Sequence, residues 1–284
     1  MTQRWTSFDL VFFDCDSTLS TIEGIDELAK LKGKDLRVSI LTDKAMNGEL
    51  DLSEVYGKRL KAIRPTLGQL KAVEERYSET IVEDAQAVVT ILQALQKEVF
   101  IISGGLVDAV RGFGRRLGVD NDHIRAVELE YNELSGEWWR YNEPNAQHQK
   151  TYLEYVEGPL TISSGKPQII NELSKGMFGR RFMIGDGSSD LATRDVVDLF
   201  VGYGGVVARD KVRNESDVFI ECASLAPVLP LVAGISGYDR IKNTPAYKAV
   251  YEKGIELVRG GQVLFKHAEQ KDLFLRMFDD ILDA

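Results

Sequence analysis

The sequence predicts an α/β fold, a doubly wound and mostly parallel sheet forming a Rossmann-like core, with an inserted helical cap. Three observations predict it. Short apolar runs at residues 10–13, 99–102, 182–184 and 199–201, with a weaker one at 218–220, are bounded by Asp, Gly or Ser. None alternates cleanly, as expected of strands buried on both faces of a parallel sheet. Helical stripes lie between these runs. Finally, 85 residues separate Phe13 from Val99, where a plain strand–helix–strand crossover needs roughly a dozen or a little more.

Taken in order, the first strand starts almost at the N-terminus. The long gap after it reads as helices over 25–31, 53–63 and 67–77, which predicts an insertion over about residues 20–85. Its position, just after the first strand, places it over the carboxyl ends of the strands, where such sheets bind ligands. Val88, Val89, Ile91, Leu92 and Leu95 form one helical stripe leading directly into the second strand. Residues 127–143 alternate around Leu134-Ser135-Gly136 and predict a hairpin, and 144–165 read as irregular. Pro167 opens a helix carrying Ile169, Ile170 and Leu173. The core is thus expected to comprise residues 1–19 and 86–234, followed by a helical extension over 235–284. In that extension Thr244 is expected to cap a helix begun by Pro245 and ended by Gly260-Gly261. A last helix carries Leu273, Phe274, Met277, Phe278, Ile281 and Leu282 on one face, a stripe that could pack on its own core or form a homodimer.

Composition narrows the class. With 284 residues, 44% hydrophobic and 28% charged, the chain can bury a sizeable core. A net charge of −9 argues against a nucleic-acid surface. No apolar run reaches the roughly 18 residues that span a bilayer, and residues 1–9 lack the pattern of a signal peptide. No membrane partner is expected. Two distant cysteines and three histidines give no zinc spacing. Cys15 lies between two aspartates, which disfavour a thiolate, so it reads as a packed residue. A cytoplasmic protein is expected.

Four local patterns carry chemistry. In Phe13-Asp14-Cys15-Asp16-Ser17-Thr18, two carboxylates two residues apart along extended chain face one place. Such a pair repels unless a cation or shared proton intervenes. Gly185-Asp186-Gly187-Ser188-Ser189-Asp190 again sets two carboxylates on a turn after a strand. Hard oxygens gathered from several strand ends suit Mg²⁺. Ser103-Gly104-Gly105 offers a hydroxyl and free amides for phosphate. Lys166, at a helix start, opposes the helix dipole and suits an anion held nearby. Each alone is also an ordinary turn or surface charge; two carboxylate pairs at two strand ends are harder to assign to chance. No P-loop occurs, and the glycines at 202–205 lack the third glycine of a dinucleotide loop.

In this order, each after a strand, the four patterns resemble the haloacid dehalogenase superfamily and, within it, the phosphoserine phosphatases. Glu23-Gly24-Ile25-Asp26-Glu27-Leu28, Lys44-Ala45-Met46-Asn47-Gly48, Lys58-Arg59-Leu60 and Phe200-Val201-Gly202-Tyr203-Gly204-Gly205 extend the resemblance over about residues 8–225. The resemblance implies Asp14 as nucleophile and Asp16 as acid and base. It implies Asp14, the main-chain carbonyl of Asp16 and Asp186 as Mg²⁺ ligands, with Asp190 supporting. Ser103, Gly104 and Lys166 would bind phosphate, and Glu23, Met46 and Arg59 the rest of a small phosphorylated metabolite, O-phospho-L-serine. Leu52 and Leu106 depart from the aromatic residues usual in the family, and Ser189 from Asn or Thr. Alternatives are a phosphatase or phosphotransferase for another small phosphometabolite and, from a different class, an aspartate phospho-receiver domain, which gives no reason for the 85-residue gap.

Overall fold

A computed structural model describes residues 5–140, 142–143 and 146–279. Strand β1 (Leu10–Phe13) is followed by four helices, α1 (Gly24–Leu31), α2 (Asp35–Met46), α3 (Leu52–Ile63) and α4 (Leu67–Glu79). The chain continues through α5 (Ala85–Ala94), β2 (Glu98–Leu106), α6 (Val107–Arg116), β3 (Ile124–Val127), β4 (Leu129–Asn132) and β5 (Thr151–Tyr155). Then come α7 (Lys166–Leu173), β6 (Arg181–Gly185), α8 (Ser188–Leu191), β7 (Leu199–Tyr203), α9 (Asp210–Glu215) and β8 (Val218–Ile220). The last elements are α10 (Val228–Ile241), α11 (Pro245–Arg259), β9 (Val263–Phe265) and α12 (Ala268–Arg276).

The seven-stranded sheet has the order β3-β2-β1-β6-β7-β8-β9 and is parallel except for the β8–β9 pair. All five apolar runs become strands, and the two edge strands β3 and β9 are additions. Both edges are short: β3 is interrupted by Arg125, and β9 is only the three residues Val263–Phe265. β1 reads Leu-Val-Phe-Phe and is buried throughout, because it lies between β2 and β6. Phe12 stacks on Phe100 with ring centroids 4.8 Å apart. The chain leaves β1 toward β2 and β3 and later returns on the other side as β6. That makes the β1–β6 boundary a topological switch point, where a crevice forms at the carboxyl ends.

Helices α1–α4 occupy the long gap after β1. Asp51 caps α3 by accepting from Ser53 N at 2.9 Å. Thr66 and Gln69 form a reciprocal capping box at the start of α4. Helix α2 has no counterpart among the expected helices, since its apolar residues make only a weak stripe.

The region after β3 corrects the expected hairpin. Its turn exists, with Ser135 N donating to Asn132 O at 3.0 Å and Gly136 at φ 65°. The returning strand, however, is β5, within the stretch read as irregular. The alternation in 137–143 comes instead from a 3₁₀ turn at Trp138–Arg140, whose two tryptophans are exposed. Partners outside the ribbon select β5: Thr151 bridges to Thr66, and Tyr152 N donates to Pro65 O at 2.8 Å.

After residue 235 the structure adds β9 to the expected helices. Pro245 opens α11 and Gly260-Gly261 follow its end, but Thr244 makes no capping hydrogen bond. Phe274 and Phe278 are buried against the chain's own core, beside Trp5 and Phe265. Ile281 and Leu282 lie outside the described residues. Among the described residues no helix is long and apolar enough to cross a membrane.

Candidate active site

Parallel register brings three strand ends together. Phe13 pairs with Ile101 of β2 and Ile184 of β6, and Asp14 N donates to Ile184 O at 3.0 Å. The residues following these strands therefore share one crevice. Carboxylate oxygens of Asp14, Asp186 and Asp190 lie within 4.8 Å of one another. Lys166, the first residue of α7, donates from Nζ to Asp14 Oδ1 at 2.6 Å and to Asp190 Oδ1 at 2.5 Å. Asp190 Oδ2 accepts from Gly187 N at 3.0 Å.

This cluster carries more negative than positive charge. Asp14, Asp16, Asp186 and Asp190 are all buried, and the buried cations among them are Lys166 and Arg209. Burial, with Asp190 adding to it, raises the Asp14 carboxyl well above its ordinary range. Burial pushes Asp186 up to about 7 despite the Arg209 guanidinium beside it. Burial also opposes charge on Lys166, but Asp14 and Asp190 outweigh it, and its pKa lies above the ordinary lysine value. Asp186 Oδ1 is buried with no hydrogen-bond partner. An orphaned hard oxygen amid surplus negative charge fits Mg²⁺, which takes carboxylate, carbonyl and water oxygens. Asp190, expected to play a supporting part, contributes its carboxylate to the cluster directly.

Asp16 is held apart from that cluster. Its Oδ1 accepts from Gly24 N and from Tyr77 Oη, both at 2.6 Å. Its Oδ2 accepts from Ser103 Oγ at 3.2 Å. Ser103 Oγ in turn accepts from Gly105 N at 2.9 Å. A Cβ on Gly105 would stand 2.8 Å from Asp16 Oδ2, so the close approach here needs glycine. Burial raises the Asp16 pKa, and the bonds from Tyr77 and Gly24 oppose the rise.

The helices after β1 supply the opposite wall. Ser17 takes a left-handed φ of 53° and donates from Oγ to Glu23 Oε1 at 2.8 Å; strain of this kind concentrates at functional sites. Burial and the nearby Asp16 push the Glu23 pKa well up. Arg59 is 5% exposed and donates from Nη1 to Thr42 Oγ1 at 3.0 Å. Thr42 Oγ1 donates to Asp26 Oδ1 at 2.8 Å. Arg59 Nε is buried without a partner. Tyr56 Oη donates to Gly104 O at 2.9 Å, joining α3 to the carboxyl end of β2. Between the walls lies a cleft of about 50 Å³. Asp14, Asp16, Gly104 and Lys166 line it together with Glu23, Met46, Leu52 and Arg59. Ser103 and Asp190 attach to this lining through the bonds above, and Asp186 through the proximity of its carboxylate to that of Asp14. All ten residues singled out in the sequence therefore meet at one place, and Leu52 and Leu106 both line the cleft.

Several polar residues here escape sequence reading. Arg209 Nε donates to Asp186 Oδ2 at 3.1 Å, and its Nη1 donates to Asn47 Oδ1 at 3.2 Å. Tyr77 and Thr42 likewise reach the site through contacts that no local motif encodes.

Comparison with known proteins places the chain among relatives of one family. The profile of the haloacid dehalogenase-like hydrolases matches residues 11–193. The chain is 32% identical over 215 residues to a phosphoserine phosphatase of Rattus norvegicus, covering 75% of this chain and 89% of the relative. It is 31% identical over 219 residues to a chloroplastic phosphoserine phosphatase of Arabidopsis thaliana, covering 76% and 70%. Among solved structures, a phospho-aspartyl intermediate analogue of phosphoserine phosphatase superposes with a TM-score of 0.67 at 23% identity, covering 80% of this chain and all of the other.

Proposed function

This chain belongs to the haloacid dehalogenase-like hydrolases, and from that premise we propose that it is a phosphatase that hydrolyses O-phospho-L-serine to L-serine and phosphate. The observation that supports the substrate assignment is the cleft itself: the carboxyl of Glu23 and the guanidinium of Arg59 line it together with Gly104 and Lys166, which are expected to bind phosphate. Phosphoserine offers an ammonium, a carboxylate and a phosphate in one small molecule. Glu23 would take the ammonium and Arg59 the carboxylate, with the unpartnered Nε available for it. Met46 and Leu52 would close around the short carbon chain.

In the mechanism, an oxygen of Asp14 attacks phosphorus as the ester P–O bond breaks. Asp16 gives its proton to the departing serine oxygen. A water molecule, losing a proton to Asp16, then attacks the aspartyl phosphate; phosphate leaves and the Asp14 carboxylate is restored. Lys166, Ser103 Oγ and the Gly104 amide would bind phosphoryl oxygens, whose charge shifts in the transition state. Asp14, Asp186 and the carbonyl of Asp16 would hold Mg²⁺, with Asp190 beside them. When bound, Mg²⁺ supplies positive charge that lets an anionic nucleophile meet an anionic phosphate. Helices α1–α4 would act as a cap over about residues 20–85. A cleft of about 50 Å³ has room for only a few waters, so the cap must shift to admit substrate and close again to exclude water. Both cysteines are free, which suits a reducing compartment such as the cytoplasm.

The test compares substrates. Losing one partner of a desolvated charge pair costs about 2–5 kcal/mol. Arg59→Ala and Glu23→Gln should therefore lower kcat/KM for phospho-L-serine by that amount and spare an aryl phosphate that lacks both groups. Proportional losses on the two substrates would mean that these residues serve folding or closure, and the phosphoserine assignment would fall.

A further inference from the structure

We propose that Tyr77 is a positioning residue that ties up one oxygen of Asp16 and thereby reserves the other for proton transfer. The inference rests on the phosphatase reading above and deepens it.

The two Asp16 oxygens are treated unequally. Oδ1 accepts two bonds at 2.6 Å, from Tyr77 Oη and Gly24 N. Oδ2 has one longer contact, 3.2 Å from Ser103 Oγ. The amide of Gly24 can only donate, and a phenol beside a carboxylate oxygen that already accepts a proton donates as well. A proton on Oδ1 would displace at least one of these donors inside a dry interior, where an unmade bond is costly. The transferable proton is therefore held on Oδ2. That oxygen neighbours Gly105 and Ser103, at the end of β2 expected to bind phosphate, where the ester oxygen that must receive the proton would lie. Oδ2–H gives its proton to that oxygen as the P–O bond breaks. It takes one back from water as the water oxygen bonds to phosphorus and the Asp14–phosphorus bond breaks.

The local structure accommodates this contact closely. Tyr77 is wholly buried on α4 and stacks on Phe113 with centroids 5.4 Å apart. A Cβ on Gly24 would overlap Tyr77 Oη, so glycine at the start of α1 is what lets the phenol reach Asp16. Both donors come from the helices after β1, so the acid is set by the cap rather than by the strand that carries it.

The experiment is Tyr77→Phe in the Mg²⁺-loaded enzyme. General acid catalysis typically contributes about 10²–10⁴-fold, so kcat for phospho-L-serine should fall on the order of tenfold or more at nearly constant KM. The first turnover of p-nitrophenyl phosphate, whose leaving group needs no proton, should keep its burst rate within about twofold, while the later dephosphorylation slows. In an Asp16→Asn background, Tyr77→Phe should have no further effect. Equal losses on both first steps, or no loss with phosphoserine, would show that the bond serves packing alone and overturn the proposal. Gly24→Ala, which pushes the hydroxyl off Asp16 with Tyr77 still present, should give the same signature and decides the matter if Tyr77→Phe does not fold. If wild type cleaves other alkyl phosphates but not phosphoserine, the substrate assignment fails, and the Tyr77 comparison is read on the alkyl ester it does cleave.

Discussion

At the scale of single residues, Lys166 and Arg209 do not neutralise the carboxylates gathered around them. Two negative charges are left over among Asp14, Asp16, Asp186 and Asp190, and burial makes each expensive. Asp186 shows the consequence, since its pKa in the metal-free protein is pushed up to about 7 from an ordinary 3.8. In the unfolded chain this carboxyl ionises near its ordinary value, so the metal-free fold loses stability as pH rises from about 4 to about 7. Mg²⁺ binding must displace the proton and recover that loss. The rise in melting temperature on adding Mg²⁺ should be larger at pH 8 than at pH 6, and a rise that is equal or larger at pH 6 would refute this electrostatic picture. The motif residues of the site were legible in the sequence because each set is local. Arg209 meets Asp186 across 23 residues, and Tyr77 meets Asp16 across 61. Contacts of that kind are written in the fold and not in any window of sequence.

At the scale of elements, five strands and the mostly parallel character of the sheet followed from apolar runs, because a strand buried on both faces needs little else. The β4–β5 ribbon did not, because its register is set by partners outside it. Leu67 N donates to Lys150 O at 3.0 Å, and the Tyr155 ring packs on Tyr56 with centroids 5.1 Å apart. The same ring lies so near Gly57 that a Cβ there would stand 3.1 Å from it. The ribbon thus clasps α3 and the α3–α4 turn, and α3 carries Arg59 and Tyr56. An aromatic pair contributes about 0.5–1.5 kcal/mol beyond its buried area, so Tyr155→Ala should speed amide exchange in α3 and α4 by roughly tenfold and leave β1 unchanged. Unchanged exchange in α3 would mean that the ribbon does not hold that helix.

At the scale of the whole molecule, the C-terminal segment closes the sheet edge with β9 and buries Phe274 and Phe278 among the chain's own aromatics. That uses much of the apolar stripe that could have served a homodimer. Phe274→Ala should cost about 3–5 kcal/mol and lower the melting temperature on the order of 10 °C, with the mass from light scattering unchanged. A dimer that dissociates on this substitution would reverse the conclusion about where the stripe is spent. The rest of the sheet carries the crevice, where the covalent chemistry proposed for Asp14 is the central claim. The most direct measurement is phosphate release from phospho-L-serine by wild type and Asp14→Asn, with and without Mg²⁺, both proteins shown to be folded. Wild type with Mg²⁺ should turn over, chelation should stop it and added Mg²⁺ restore it. Asp14→Asn should lose on the order of 10³-fold or more, because an amide is a poor nucleophile at phosphorus. Near-normal turnover by Asp14→Asn, or turnover indifferent to chelation, would contradict the account.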